Sequence, residues 1–397
     1  MNAVHDPLTP IAPWHHRAQS LLGQRVDHID TPALVVDLDA MERNLAHMAA
    51  YARAHNLRLR PHAKMHKSAE IARLQMAHGA VGVCVQKTDE AIALAMGGVT
   101  DITITNEVIA EAKLQRLACA VRDLPTRFGI AVDSAVGVAR LAQALQEAQV
   151  VGDARIDVLV EIDVGQGRCG VAPGEAAVDL TRLIAQHPVL RFAGLQAYHG
   201  GAQHRRDPAE RAQAIAEAAW AAALTRERLL AAGFEVPLIT GAGTGTFVLE
   251  TASHVWGELQ VGSYLFMDAD YARNESAPLA PQFEHALFVK SQVMSRGKEH
   301  AVCDAGHKSH AIDSGLPMVW SPPGLVFANG GDEHGLLRAA YAGQPLSLPQ
   351  LGDTVWLVPG HCDPTVNLYD VMIGVRGGLV DGKVERVIRV DARGARG

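Results

Sequence analysis

A lysine in a basic loop is the first residue of this sequence whose surroundings suggest chemistry. Lys64 lies in the run RPHAKMHK at positions 60–67, between a short strand-like run and a predicted helix start. Neighbouring cations disfavour the ammonium form of a lysine, so we expect His62, His66 and Lys67 to lower its pKa. A lysine with a lowered pKa is a nucleophilic amine that can form a Schiff base. A solvated basic loop explains this run equally well.

A glycine-rich loop offers a place for an anion. The run TGAGTGT at 240–246 follows a predicted strand, and its alternating glycines let backbone N–H groups point into one concavity. The loop has no Gly-Lys-Ser/Thr sequence, so it is not the phosphate loop of nucleoside triphosphatases, and it lacks the full G-x-G-x-x-G spacing. We predict a phosphate-binding loop here, with a plain tight turn as the alternative.

A histidine and an aspartate near the C-terminus could bind a metal ion. His361 and Asp363 lie two residues apart after a predicted strand, so in an extended segment their side chains share one face. An imidazole and a carboxylate suit a divalent cation such as Mn²⁺ or Zn²⁺. Two ligands are a weak motif, and a plain loop is the alternative. If Cys362 between them points away, a metal that prefers oxygen is favoured over zinc.

Two further side chains follow predicted strands. His199 comes directly after a strand that ends near Tyr198, and its imidazole titrates close to neutrality, as a general base requires. Arg168 follows another strand and could bind a carboxylate. An ordinary loop histidine and a surface arginine are the alternatives for these two residues.

The elements that carry these residues alternate regularly between strand and helix. Helical patterns follow most of the strand-like runs, and the clearest is at 208–232; another lies at 88–96. The strand-like runs lie at 31–39, 57–59, 80–85, 101–105, 128–132, 156–162, 192–197 and 237–240. This alternation predicts an α/β fold with a TIM-type (β/α)8 barrel, in which functional side chains lie at the carboxyl ends of the strands.

The pattern changes near residue 277. From 288 onward, strand-like runs alternate with Gly, Pro and Asp, which is typical of antiparallel strands and turns. We therefore predict a barrel domain at 30–279 and a β-rich, metal-binding domain at 280–397. Residues 1–29 form an N-terminal extension that we expect to associate with the β-rich domain, while the strand at 31–39 could belong to either domain.

Composition excludes several classes of protein. Of the 397 residues, 48% are hydrophobic and 20% are charged, and the net charge is −7, so neither a nucleic-acid footprint nor a membrane span is expected. No apolar signal segment is present near the start of the sequence. The five cysteines are scattered without a Cys-x-x-Cys motif, which is typical of a reduced, cytoplasmic protein.

Several stretches taken together resemble one family. They are RPHAKMHKS, VGVCVQK, TNEV, VLVEIDVGQGRCGV, GLQAYHG, TGAGTGTF, LQVGSYLFMDADY, DEHG and PGHCDPTVNLYD. The sequence between about residues 30 and 394 is similar to D-threonine aldolase and 3-hydroxy-D-aspartate aldolase. That group also includes eukaryotic-type D-serine dehydratase, and it shares the alanine racemase fold of pyridoxal 5′-phosphate enzymes.

The resemblance implies a role for each candidate residue. Lys64 would hold pyridoxal phosphate as a Schiff base, His361 and Asp363 would bind the metal, and His199 would lie beside the metal. Within that scheme we expect His199 to be the base and Arg168 to bind the substrate carboxylate. The remaining cofactor-binding residues would be Tyr198, Gly243, Thr244, Gly245, Gln260, Gly262, Ser263 and Tyr264. An alanine racemase has an arginine facing the pyridine nitrogen where this sequence has the neutral Gln260, which implies a weaker electron sink.

The function implied is that of an aldolase that depends on pyridoxal phosphate and a divalent metal, with Mn²⁺ expected and Mg²⁺ or Zn²⁺ as alternatives. It would cleave D-β-hydroxy-α-amino acids, such as D-threonine, to glycine and an aldehyde. The alternatives are a 3-hydroxy-D-aspartate aldolase that releases glyoxylate and a dehydratase that releases a 2-oxo acid and ammonia. A non-catalytic carrier of pyridoxal phosphate and a metal hydrolase that uses His62 and His66 also remain open. The family implies a homodimer.

Overall fold

The computed structural model describes residues 13–150, 156–275, 281–340 and 348–397. Its α-helices are α1 Pro13–Ser20, α2 Leu38–Ala54, α3 Ala69–Ala77, α4 Thr88–Met96, α5 Glu111–Asp123, α6 Ala135–Glu147, α7 Glu175–Ala185, α8 Pro208–Ala231, α9 Phe247–Ser253 and α10 Cys362–Val366. Its strands are β1 Ala33–Asp37, β2 Arg58–Leu59, β3 Val83–Val85, β4 Asp101–Ile104, β5 Arg127–Val132, β6 Ile156–Glu161, β7 Leu190–Ala197, β8 Ile239–Gly241, β9 Glu258–Leu259, β10 Leu287–Arg296, β11 Ala301–Cys303, β12 Met318–Ser321, β13 Leu325–Asn329, β14 Gly335–Ala339, β15 Thr354–Val358, β16 Val371–Arg376 and β17 Lys383–Arg389.

Eight parallel strands form the first sheet. Their order is β2-β9-β8-β7-β6-β5-β4-β3, and helices cover the sheet between successive strands. A parallel bridge between His62 and Cys84 joins the end of β2 to β3, so the two ends of the sheet meet. The predicted (β/α)8 barrel is confirmed.

The strands of this barrel are buried on both faces because helices lie outside and side chains fill the inside. All six residues of β6 are buried, and its sequence IDVLVE is a nearly continuous apolar run rather than an alternating one. The predicted helices at 88–96 and 208–232 are confirmed as α4 and α8. Helix α8 begins where Asp207 accepts hydrogen bonds from the N–H groups of Ala209 and Glu210, and Pro208 occupies its first turn.

The second sheet contains nine strands and is mainly antiparallel. Its central strand β1 pairs with β10 in antiparallel and with β16 in parallel orientation, so the run at 31–39 belongs to this sheet and not to the barrel. The eighth barrel strand is instead β9, which comprises only Glu258 and Leu259. Two residues are too few to show a periodic pattern, which is why the sequence did not predict this strand.

The segment before β1 contacts the second sheet. The backbone of Gly23 and Gln24 pairs with Val384, and the buried Lys290 Nζ donates to the carbonyls of Val26 and Ile29 at 2.9 and 2.7 Å. Residues 1–12 of the predicted extension lie outside the described residues, and the domain boundaries remain predictions. No helix in the described ranges is long and apolar enough to cross a membrane.

Candidate active site

A cavity of about 660 Å³ lies at the carboxyl ends of the barrel strands, where the second domain contributes two side chains. The predicted site residues that line it are Lys64, Arg168, Tyr198, Gly243, Thr244, Gln260, Gly262, Ser263, His361 and Asp363. The barrel thus supplies the lysine and the glycine-rich loop, and the β-rich domain supplies the predicted metal ligands. The fold brings together most of what the sequence predicted separately.

Lys64 enters the cavity from a short 3₁₀ helix directly after β2. This helix comprises Ala63–Met65, and the backbone N–H of Lys64 donates to the His62 side chain at 3.4 Å. The Lys64 side chain is 38% exposed, and its Nζ lies 3.7 Å from Asp363 Oδ2. The amine is therefore accessible to a ligand and is paired with a carboxylate of the other domain.

The glycine-rich loop is closely packed from behind by Gln203. A Cβ at Gly243 would lie 2.4 Å from Gln203 Oε1, and one at Gly245 would lie 2.5 Å from its backbone oxygen. The N–H of Gly245 donates to Gln203 Oε1 at 3.0 Å. A side chain at either position would displace part of the buried Gln203, so both positions favour glycine. Gly243 and Thr244 line the cavity.

A second loop completes this part of the wall. The Tyr264 N–H donates to Thr244 Oγ1 at 3.0 Å, which joins the loop after β8 to the one after β9. A Cβ at Gly262 would lie 3.2 Å from the Cβ of His62, so this glycine permits close packing against the Lys64 loop. Of the residues predicted to bind the cofactor, Gly245 and Tyr264 do not line the cavity; the buried Tyr264 hydroxyl accepts from Gln75 at 3.3 Å instead.

The Gln260 amide is held by a chain of buried polar groups. Gln260 exchanges hydrogen bonds of 2.9 and 3.0 Å with Gln196, and its Nε2 also donates to Thr240 Oγ1 at 2.9 Å. Thr240 donates in turn to Glu258, which pairs with Arg60 at 3.0 Å. A carboxylate only accepts hydrogen bonds, so the chain fixes the direction in which each amide points.

His361 and Asp363 face each other at the edge of the cavity. Nε2 of His361 lies 3.8 Å from Oδ1 of Asp363. Helix α10 begins at Cys362, so the expected extended geometry is wrong for this segment, although both side chains still reach the cavity. Cys362 is fully buried and does not line the cavity. Among the described residues, the buried Asp363 Oδ1 has no hydrogen-bond partner.

Arg168 lines the cavity on the loop after β6. Burial and the adjacent Glu107 carboxylate raise the pKa of the nearby Glu161 well above its ordinary value. Glu107, Asp133 and Cys169 also place potential ligand atoms within 4.8 Å of one another beside Arg168. This acidic group contains no histidine, and acidic clusters commonly occur without a metal.

Two histidines compete for the role of base. His199 is 6% exposed and does not line the cavity; its Nε2 lies 3.2 Å from the position of a Cβ on Gly165. His204 does line the cavity, and its Nδ1 lies 2.6 Å from Asp270 Oδ2. The sequence reasoning missed His204, although it lies on the same loop after β7.

Comparison with known proteins places this geometry in a family. Residues 36–270 match the family described as alanine racemase, N-terminal domain, and residues 286–375 match a putative serine dehydratase domain. A D-threonine aldolase of Arthrobacter sp. is 44% identical over 374 residues, which cover 94% of this chain and 95% of that protein. The chain belongs to the D-threonine aldolase family. It shares the fold of the alanine racemases.

Other members of the D-threonine aldolase family agree with this assignment. The crystal structure of D-threonine aldolase from Filomicrobium marinum has a TM-score of 0.89 and 48% identity, covering 95% of this chain and 98% of that one. A 3-hydroxy-D-aspartate aldolase of Paracoccus denitrificans is 42% identical over 94% of this chain and 95% of its own length. A D-threo-3-hydroxyaspartate dehydratase of Delftia sp. is more distant, with 31% identity over 85% of this chain and 92% of that protein.

The electrostatics of Lys64 differ from the prediction made from its neighbours. Burial lowers the pKa of Lys64, but the Asp363 carboxylate, together with smaller contributions from Tyr198 and Cys84, raises it, and the net result is a raised pKa. The expectation that the adjacent basic residues lower this pKa is therefore wrong. The decisive partner is a carboxylate from the other domain, which is distant in the sequence.

The basic neighbours are themselves neutral or paired. Burial lowers the pKa of His62 well below its ordinary value and that of His66 to about 4. The Lys67 ammonium donates to Glu90 at 2.6 Å. None of these three residues therefore leaves an uncompensated charge beside Lys64. The Nε2 atom of His62 instead lies 2.9 Å from the amide nitrogen of Gln86, a residue that also lines the cavity.

His66 gives the protein an acid-sensitive stability. Unfolded His66 binds a proton near its ordinary pKa of 6.5, whereas the folded residue binds it only near pH 4, so the unfolded state holds more protons between these values. We expect the free energy of unfolding to fall by roughly 2–3 kcal/mol between pH 7 and pH 4.5 through this residue. Urea denaturation of wild type and His66→Gln at both pH values measures this change in the free energy of unfolding. An equal change in the two proteins would contradict the expectation. The control is His28→Gln, at an exposed histidine, which should behave as wild type does.

Proposed function

We propose that this protein cleaves D-β-hydroxy-α-amino acids to glycine and an aldehyde, with pyridoxal phosphate on Lys64 and a divalent metal at His361 and Asp363. The observation that carries the proposal is the shared cavity, in which the Lys64 amine lies 3.7 Å from Asp363. A substrate attached near Lys64 can therefore bring its β-substituent to the metal ligands. The two aldolase relatives, each matched over most of its length, support the same reaction.

The cavity fits pyridoxal phosphate. Gly243, Thr244, Gly262 and Ser263 form one wall of the cavity, and the glycines allow this wall to pack closely against Gln203 and His62, so that backbone N–H groups and hydroxyls are available to a phosphate. Lys64 supplies the amine for covalent attachment. When bound, the cofactor supplies an electron sink for the pair released from the broken Cα–Cβ bond.

The donor atoms near His361 fit a divalent metal. Asp363 Oδ1 is buried without a hydrogen-bond partner among the described residues, and an imidazole nitrogen lies 3.8 Å away. One imidazole and one carboxylate, with the thiol of Cys362 turned away, favour Mn²⁺ or Mg²⁺ over Zn²⁺. When bound, such an ion supplies Lewis-acid polarisation of the substrate β-hydroxyl, which lowers its pKa.

The protein's own residues then bind the substrate and move its proton. Arg168 would bind the substrate carboxylate, because it lines the cavity and a guanidinium pairs well with a carboxylate. A histidine would take the β-hydroxyl proton. Loss of that proton allows the Cα–Cβ bond to break, which releases the aldehyde and leaves glycine after a proton returns to Cα.

His204 is favoured over His199 as this base. The His204 ring lines the cavity and is oriented by Asp270, whereas His199 lies behind Gly165. We expect His204→Gln to lower kcat by about 10²- to 10⁴-fold, as for the loss of a general base, and His199→Gln to change it far less. Rates of aldehyde release from the two variants decide between them. A larger loss of kcat in His199→Gln than in His204→Gln would instead support His199 as the base.

The substrate side chain separates two aldolase activities. D-Threonine would give acetaldehyde, and D-3-hydroxyaspartate would give glyoxylate, each with glycine. The dehydratase alternative is disfavoured by the metal-ligand motif. The D-serine dehydratases of this group have a His-x-Cys pair, whereas this chain has Asp363 in the second position. Incubation of the enzyme with each D-amino acid and its L-form, followed by quantification of glycine, aldehyde and ammonia, tests the proposal. Ammonia with a 2-oxo acid would instead support the dehydratase.

We further propose a cytoplasmic homodimer. The five cysteines are unpaired, and three of them, Cys84, Cys303 and Cys362, are buried, which suits a reducing compartment. The family supports a dimer with its sites near the interface. Sedimentation of the purified protein at twice the mass of the 42.3 kDa chain would support this assembly.

A further inference from the structure

A carboxylate contacts the ring nitrogen of His361 that does not face Asp363. His361 Nδ1 lies 2.7 Å from Asp313 Oδ2, while Nε2 lies 3.8 Å from Asp363 Oδ1. A carboxylate only accepts hydrogen bonds, so the proton of a neutral imidazole must reside on Nδ1. Nε2 then carries the lone pair and presents it on the side of the cavity. Asp313 thus selects the tautomer that can bind a metal.

Ser314 restrains the Asp313 carboxylate. Its hydroxyl donates to Asp313 Oδ2 at 3.1 Å and lies 3.3 Å from His361 Nδ1. Both groups therefore surround one nitrogen of the imidazole. The Asp313 side chain is nevertheless 51% exposed, so it is not part of the apolar core.

The segment that carries Asp313 is fixed against the His361 segment at two points. A Cβ on Gly360 would lie 2.1 Å from the backbone oxygen of Gly315, so glycine at 360 allows the two backbones to approach closely. Thr365 Oγ1 accepts from the Ala311 N–H at 3.1 Å and donates to the His361 carbonyl at 2.7 Å. These contacts hold Asp313 and His361 in a constant relative position.

We propose that Asp313 is a positioning residue for the divalent metal and acts through His361. It fixes the tautomer and the ring orientation of this ligand and increases the basicity of Nε2. The inference rests on the proposed metal at His361 and Asp363. Nothing in the local sequence marks Asp313, because it lies 48 positions before its partner.

The affinity of the enzyme for Mn²⁺ tests this role. We expect Asp313→Ala, measured by isothermal titration of the enzyme loaded with pyridoxal phosphate, to bind Mn²⁺ about 10- to 100-fold more weakly than wild type. Asp313→Glu restores the carboxylate and is expected to recover most of the affinity. At saturating Mn²⁺ the kcat of Asp313→Ala should approach that of wild type, which a general structural defect would not allow.

Asp332→Ala is the matched control, because Asp332 forms an exposed pair of 2.8 Å with another histidine, His307. It should leave Mn²⁺ affinity unchanged. Unaltered affinity in Asp313→Ala would overturn the inference, and so would loss of its fold or failure of Asp313→Glu to recover binding. Failure of wild type itself to bind Mn²⁺ would instead overturn the proposed metal site.

Discussion

Replacing Lys64 by alanine is expected to abolish covalent binding of pyridoxal phosphate and to reduce aldehyde release at least about 1,000-fold, which corresponds to about 4 kcal/mol of activation free energy. The reason is that the Lys64 side chain is 38% exposed in the cavity and, in the proposed function, supplies the amine for attachment. Borohydride reduction followed by peptide mapping locates the attachment site. Wild type should carry the reduced cofactor on the peptide that contains Lys64.

Lys67→Arg is the control for this experiment. Lys67 belongs to the same basic run, but its ammonium pairs with Glu90, and arginine preserves that charge pair. The variant should retain both the attached cofactor and its turnover. A Lys64→Ala protein that still incorporates cofactor after reduction and turns over at the wild-type rate would contradict the assignment.

Removal of the proposed metal is expected to have the next largest effect on turnover. Polarisation of a substrate oxygen by a divalent ion supplies several kcal/mol of stabilisation in the transition state, so we expect chelation by EDTA to lower kcat roughly 10³-fold and added Mn²⁺ to restore it. His361→Ala and Asp363→Ala should show the same loss without restoration. Initial rates of aldehyde release, measured with and without Mn²⁺, provide the comparison.

Cys362→Ala tests whether the response to Mn²⁺ depends on the two proposed ligands themselves or on the segment that carries them. Cys362 lies between His361 and Asp363 but is fully buried, away from the cavity. This variant should keep its Mn²⁺ dependence, with some loss of stability from the vacated volume. Wild-type activity that survives exhaustive chelation, or a Cys362→Ala enzyme that alone loses the response to Mn²⁺, would argue against His361 and Asp363 as ligands.

The parts of the site that could be predicted from sequence are those whose chemistry is contained in one short run. The lysine loop, the glycine-rich loop and the His361–Asp363 pair each follow a strand, and the regular alternation of elements was enough to place their ends at one rim. The fold was predictable for the same reason. The strand β1 was ambiguous because its pairing partners, β10 and β16, are distant in the chain.

The parts that could not be predicted depend on contacts between distant segments. The pKa of Lys64 is raised by groups that are distant in the sequence, of which the Asp363 carboxylate of the other domain contributes most. His199 and His204 lie on the same loop, but only His204 lines the cavity. The loop sequence does not specify which of the two rings does so. Asp313 becomes relevant only through the close approach of Gly360 to Gly315.

The stoichiometry of products from D-threonine is the most direct test of the account. The enzyme loaded with pyridoxal phosphate and Mn²⁺ should release glycine and acetaldehyde in equal amounts from D-threonine and neither from L-threonine, and chelation should suppress both together. Ammonia and a 2-oxo acid in place of glycine and aldehyde, or cleavage that is unaffected by chelation, would contradict a metal-assisted aldol cleavage in the cavity shared by Lys64, His361 and Asp363.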